Sequence, residues 1–255
     1  MWKTATKSTL PDQLRLTDPS LRGQLEALPA SQVLIGLGAE GQPVRVDLDA
    51  ESPHVLILSA AGGGTSTILR TLTAQLLHHG GHALVLDIKR ISQRWARGLP
   101  AVTYRSNIAD IHDALVGLGD EMKRRLDHVD QHGDTAGLTR LTLVFESADR
   151  TLRELARHWD KVQEEGAPKT SPAVDAYEEL LFAGRAARIH VLAGAQSHST
   201  ALGREQFSTV ILGRVTTRGW SRLAPQIYPA PKSSPHPGRA HVVQGPTPTR
   251  RRPCA

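Results

Sequence analysis

Along this chain, apolar runs of strand length alternate with stretches whose apolar residues recur every three or four positions. The runs are His54–Ser59, Ala83–Ile88, Leu141–Glu146, Ile189–Ala195 and Thr209–Val215, with a shorter one at Val102–Tyr104. Each is almost wholly apolar rather than alternating, which is the pattern of a strand covered on both faces of a parallel sheet. Ile108, Ile111, Leu115, Leu118, Met122, Leu126 and Val129 fall on one stripe of a long amphipathic helix. Val174–Ala187, rich in Ala and Leu and entered just after Pro172, predicts another. Strands alternating with helices predict a doubly wound α/β fold, a mostly parallel central sheet flanked by helices. Such folds bind ligands at the carboxyl ends of their strands, so chemistry is expected just past each run.

The ends of the chain differ from this middle. Residues 1–32 carry scattered Pro, Asp and Ser and one amphipathic stretch around Leu21–Leu28, and are expected to form a flexible or short helical arm. Residues 33–245 read as one continuous domain without internal repeats. The proline-rich end excludes a helix, and residues 246–255, with Arg250-Arg251-Arg252, are expected to be a disordered basic tail. That triplet could touch nucleic-acid phosphates, though a solvated tail is the favoured reading.

Composition narrows the class further. The 255 residues include 31 Lys+Arg against 25 Asp+Glu, a formal net charge of +6, and the excess is almost all arginine. Arginine suits phosphate-bearing partners, and genome composition explains the excess equally well. The single cysteine, Cys254, excludes an internal disulfide and argues against secretion. No run approaches the roughly 18 apolar residues of a membrane span and no apolar leader follows Met1, so a cytoplasmic protein without direct membrane insertion is expected. The 12 histidines form no spaced cluster with cysteine that would hold a metal.

The first run ends in Ser59-Ala-Ala-Gly62-Gly63-Gly64-Thr65-Ser66-Thr67 and passes into a helical pattern. Strand, glycine-rich loop, hydroxyl residues and helix make a phosphate cradle, because converging backbone N–H groups and a helix N-terminus both favour an anion. Against the full motif G-x-x-x-x-G-K-[ST], Ser59 stands for the first Gly and Gly64 matches the second. Thr65 replaces the Lys, and Ser66 keeps the Mg²⁺-binding hydroxyl. A tight strand-to-helix turn with a capping hydroxyl gives the same local pattern.

Several further segments fall in the right order around this loop. They are Ile35-Gly-Leu-Gly38, the stretch from Gly41 to Leu58, Leu84-Val-Leu-Asp87-Ile-Lys89-Arg90, and Glu121-Met122-Lys-Arg-Arg125. Gly184-Arg185-Ala-Ala187-Arg-Ile189-His190-Val-Leu-Ala193-Gly-Ala-Gln196, Arg214-Val-Thr216 and Pro237-Gly-Arg-Ala240 complete the set. Together, from about residue 33 to 245, the chain resembles the FtsK/SpoIIIE family of DNA-translocating P-loop ATPases. The resemblance implies a RecA-like core, ATP and Mg²⁺ as ligands, and a homo-oligomeric ring around double-stranded DNA. Related domains drive type VII secretion. It also implies a nucleotide site at Ser59, Gly62, Gly63, Gly64, Thr65, Ser66 and Thr67, with Mg²⁺ on Ser66. Catalytic roles would fall to Glu146, Gln196 and Arg185.

Two departures from that pattern lower the expected activity. Thr65 removes the cation that the loop places on the β- and γ-phosphates. Where the family ends the third strand in Asp-Glu, Phe145 takes the place of the Mg²⁺-organising Asp and Glu146 that of the water-activating carboxylate. The expectation is a pseudo-ATPase with weak or absent hydrolysis, serving DNA translocation, transfer or segregation, either by itself or alongside an intact motor. A protein-interaction module like the degenerate type VII secretion domains is the alternative. An active translocase using a substitute cation, Lys89 or Arg90, is a third reading.

Overall fold

The computed structural model describes residues 13–50, 52–232 and 236–245; the first twelve residues and the expected tail at 246–255 lie outside the described residues. The chain enters through α1 (Pro19–Glu26) and an antiparallel hairpin, β1 (Gln32–Leu37) with β2 (Pro43–Asp47). Leu21 and Leu28 pack on Leu34, so the arm is a helix docked on the hairpin.

Seven strands then build the central sheet: β3 (His54–Leu58), β4 (His82–Asp87), β5 (Val102–Arg105), β6 (Leu141–Glu146), β7 (Ile189–Ala195), β8 (Thr209–Leu212) and β9 (His241–Gln244). Their order is β5-β4-β6-β7-β3-β8-β9, parallel throughout except for the antiparallel edge β9. The sheet is the mixed, mostly parallel one that the apolar runs predict. β9 had no counterpart in that reading, since the proline-rich end gives no strand signal; it covers the edge that β8 would otherwise leave open.

Alternation along each buried strand sorts the core into two layers. Val55, Ile57, Val85, Val144 and Leu192 face α2 (Thr65–His78) through Leu69, Leu72 and Leu76. Leu56, Leu84, Leu86, Leu143 and Phe145 face the other way, against α3 (Ile108–His132), α4 (Ala148–Val162) and α5 (Pro172–Ala183). A short helix, α6 (Thr217–Leu223), follows β8. The long helix α3 starts where the Asn107 side chain accepts the Asp110 N–H and stops at Gly133 in the left-handed conformation. Its Arg125, 7% exposed, pairs with Glu121 and donates to the carbonyls of Thr139 and Ala187, so this part of the sequence signature ties α3 to the amino edge of the sheet. Gln75 of α2 exchanges two hydrogen bonds with the backbone of Leu34 and fixes the hairpin to the same layer.

Candidate functional site

Because β3 leads directly into α2, the loop between them lies at the carboxyl end of the sheet. Gly62 and Gly64 take left-handed φ values of 74° and 98°, which residues with a Cβ adopt at a cost. Gly63 has no such angle but no room either, since a Cβ there would collide with Ser59 Oγ. No side chain caps the N-terminus of α2 and no acidic residue sits in its first turn. Its leading backbone N–H groups and dipole are therefore directed at the cleft, the arrangement that favours an anion.

The cleft has a volume of about 350 Å³ and is lined by the whole loop from Ala60 to Thr67 together with Lys89, Glu146, Ser147, Gln196 and Pro237. Thus Gly62, Gly63, Gly64, Thr65, Ser66 and Thr67 come together with Glu146 and Gln196 as expected from the sequence. Thr65 turns its methyl toward Gly194 of β7, 2.8 Å from where a Cβ on that glycine would be. Ser66 Oγ donates to Glu146 Oε1 at 3.0 Å.

Phe145 and Glu146 exit β6 on opposite faces. Phe145 is fully buried beside Tyr177, with ring centroids 5.5 Å apart, in the layer away from the loop. Glu146 follows Val144 on the α2 face and reaches the loop hydroxyl. Glu146 is therefore the carboxylate that contacts the Ser66 hydroxyl, while Phe145 lies on the opposite face of the sheet.

Two other predicted residues are not in the cleft. Ser59 is buried beneath the loop, where its Oγ accepts the Arg214 N–H at 2.8 Å; its part is to hold the loop on β8. Arg185 lies in the 3₁₀ turn Gly184–Ala187, which precedes β7 and so sits at the amino edge of the parallel sheet, opposite the cleft.

One residue of the site escaped sequence reasoning. Gln93, fully buried in the loop after β4, donates through Nε2 to Glu146 Oε2 (2.8 Å) and to the Ser66 carbonyl (3.1 Å). Its Oε1 accepts from Trp95 Nε1, and its own N–H donates to Asp87 Oδ2, which also accepts from Tyr104. Glu146 is thus set by both the loop and β4. Ser147 follows it with a left-handed φ of 54°, and its buried hydroxyl makes no hydrogen bond. Strain of this kind is concentrated at functional sites. Over the loop, Pro237 lines the cleft and the Gly238 N–H donates to the Gly63 carbonyl at 3.3 Å.

The fold is shared with the solved structures of a conjugation coupling protein and of EssC ATPases, at low sequence identity. No protein-family model matches the chain. The ESX secretion system protein EccC of Thermomonospora curvata is 27% identical in an alignment 204 positions long that covers 65% of this chain and 14% of that protein. Among solved structures, the pCW3 conjugation coupling protein TcpA, in its monomer form with ATPγS, superposes with a TM-score of 0.66 at 21% identity, over 86% of this chain and 63% of that one. EssC (ATPases 2 and 3) from Geobacillus thermodenitrificans superposes with a TM-score of 0.68 at 16% identity, over 84% of this chain and 42% of that one. The chain therefore spans only part of each of these relatives. Among the described residues, no helix is long and apolar enough to cross a membrane, and no three His, Cys, Asp or Glu side chains group as a metal site.

Proposed function

We propose that this domain binds ATP in the β3–α2 cleft and serves a machine that moves DNA, in transfer or segregation, with little hydrolysis of its own. The observation that carries the reading is the Ser66–Glu146 contact at 3.0 Å, at an uncapped helix N-terminus behind a glycine loop. Both are hard oxygen donors, so they suit Mg²⁺ carried in by the nucleotide. That ion would neutralise charge on the phosphate oxygens. Gln196, at the end of β7 between β3 and β6, lines the same cleft and would be available to a phosphate bound there.

Slow turnover follows from the acidic side of the site. Glu146 alone has to serve the two roles that the resemblance divides between neighbouring carboxylates, and it is already engaged by Ser66, Gln93 and Lys89. Turnover is therefore expected far below the roughly 1–100 s⁻¹ typical of kinases.

A DNA partner is supported by TcpA, a conjugation coupling protein, and by the exposed Arg150, Arg153 and Arg157 of α4. This helix begins two residues after Glu146. Contacts to the phosphate backbone make affinity fall with salt, by a slope of about −0.9 per neutralised phosphate. A labelled random duplex, titrated at about 50 and 200 mM salt, should lose orders of magnitude in affinity over that range. ATP turnover followed in the same mixtures should stay low.

The sequence relative EccC, a secretion system protein, favours a second reading, a protein-interaction module in type VII secretion. No duplex binding at the lower salt would select it. Turnover on the kinase scale, stimulated by DNA and abolished by Glu146→Gln, would show an active translocase instead.

A further inference from the structure

We propose that Lys89 supplies, from the end of β4, the phosphate-facing cation that the glycine loop lacks. The inference rests on the nucleotide reading of the cleft and names the residue on which its affinity depends.

Lys89 is the cationic side chain among the residues that line the cleft, and Glu146 is their anionic one. Its Nζ lies 3.9 Å from Glu146 Oε1, the same oxygen that accepts the Ser66 hydroxyl. The ammonium is therefore one carboxylate away from the loop's Mg²⁺-type ligand. Its side chain is 30% exposed, so it is neither sealed in the core nor fully solvated.

The turn after β4 explains why Lys89 enters the cleft and its neighbour does not. The Arg90 N–H closes on the Asp87 carbonyl at 2.9 Å, and Arg90 itself takes a left-handed φ of 66°. That conformation is uncommon for a residue with a Cβ. Arg90 Nε consequently points to the Ser106 carbonyl, at 3.4 Å, beyond the cleft. Of Lys89 and Arg90, Lys89 is the one that lines the cleft.

Lysine also suits the task mechanically. A point charge on a flexible four-carbon stem can leave one anion for another a few ångströms away. Before nucleotide arrives, Lys89 balances the Glu146 carboxylate. With triphosphate in the loop and Mg²⁺ beside Glu146, the phosphate oxygens become its stronger partner.

The test is fluorescence anisotropy with N-methylanthraniloyl ATP and AMP in the presence of Mg²⁺. Lys89→Ala is expected to weaken the ATP probe by about 10- to 100-fold, the value of a charged hydrogen bond. The AMP probe, which lacks β- and γ-phosphates, should change little. Because loss of Lys89 also unmasks Glu146, the comparison is repeated in a Glu146→Gln background, where the same penalty should remain. Adding Thr65→Lys to Lys89→Ala should restore most of the affinity, and Arg90→Ala should leave it unchanged. Equal ATP affinity with and without Lys89, or a penalty that vanishes in the Glu146→Gln background, would overturn the proposal while leaving nucleotide binding intact. No binding of the ATP probe by the unaltered chain would overturn the nucleotide reading itself, and this inference with it.

Discussion

Lowering the pH from 7 to 5 is expected to remove about 4 kcal/mol from the stability of the fold, through His54 and His190. Both rings lie at the amino edge of the sheet and are buried. His190 Nδ1 donates to the Pro53 carbonyl at 3.0 Å, leaving Nε2 to accept from Arg140, whose guanidinium also holds Asp49 through two hydrogen bonds. His54 Nδ1 accepts the Val191 N–H at 3.0 Å. Burial, with Arg140 as the next cause, pushes His190 down to about 3; burial pushes His54 down to about 4. In the unfolded chain an imidazole titrates near 6.5. Between those values the unfolded state binds more protons, so the contribution is intact above about 6.5 and is lost as the pH falls toward the folded pKa values. At pH 5 each ring accounts for about 2 kcal/mol, at 1.36 kcal/mol per pH unit. Glu121, held at about 2 by Arg124 and Arg125, stays ionised throughout and adds nothing to this window. Urea unfolding at the two pH values measures the loss. His190→Gln should be less stable at pH 7 yet lose only about half as much on acidification. Equal unfolding free energies at pH 7 and 5 would show that the rings are not buried in neutral form.

Gly63→Ala should destabilise the chain by about 2–3 kcal/mol, large for a single added methyl on a surface loop. The collision is with one identifiable atom, Ser59 Oγ, and Ser59 is fixed in turn by the Arg214 N–H and by the backbone of Gly213 against it. The Ala60 carbonyl also lies close, 3.0 Å from the new Cβ. Ser59→Gly alone should cost about 1 kcal/mol for the lost hydrogen bond. In the double variant the clash is gone, so the two changes together should cost less than their sum by at least about 1 kcal/mol. Strict additivity in denaturant unfolding would mean that something other than Ser59 confines the loop.

The parallel strands of the sheet were legible because burial on both faces leaves an unbroken apolar run, and β6 and β7 begin and end where those runs do. β1, β2 and β9 were not, since half-exposed strands with mixed residues resemble loops. The glycine loop was legible through its spacing, but spacing alone does not say which side chain faces the ligand. Ser59 matches a ligand-facing position and lies underneath the loop. Alternation within β6 already separates Leu143 and Phe145 from Val144 and Glu146, and so carried the information that Glu146 is the residue on the loop's side. Arg185 precedes a parallel strand and Gln196 follows it, which places them at opposite edges of one sheet. Gln93 left no comparable trace. Its partners Ser66 and Glu146 lie 27 residues before it and 53 after it, and only the folded sheet brings the three together.

A nucleotide site in this cleft requires the loop's backbone N–H groups to receive phosphate. Amide hydrogen exchange of the full chain, with and without MgATP, reads those groups directly. Slower exchange at Gly62–Thr67 and at Glu146–Ser147 is expected on adding MgATP, with the amino edge of the sheet around Arg185 unchanged. Exchange at Gly62–Thr67 that is indifferent to saturating MgATP, or protection confined to another part of the chain, would contradict a nucleotide site in this cleft.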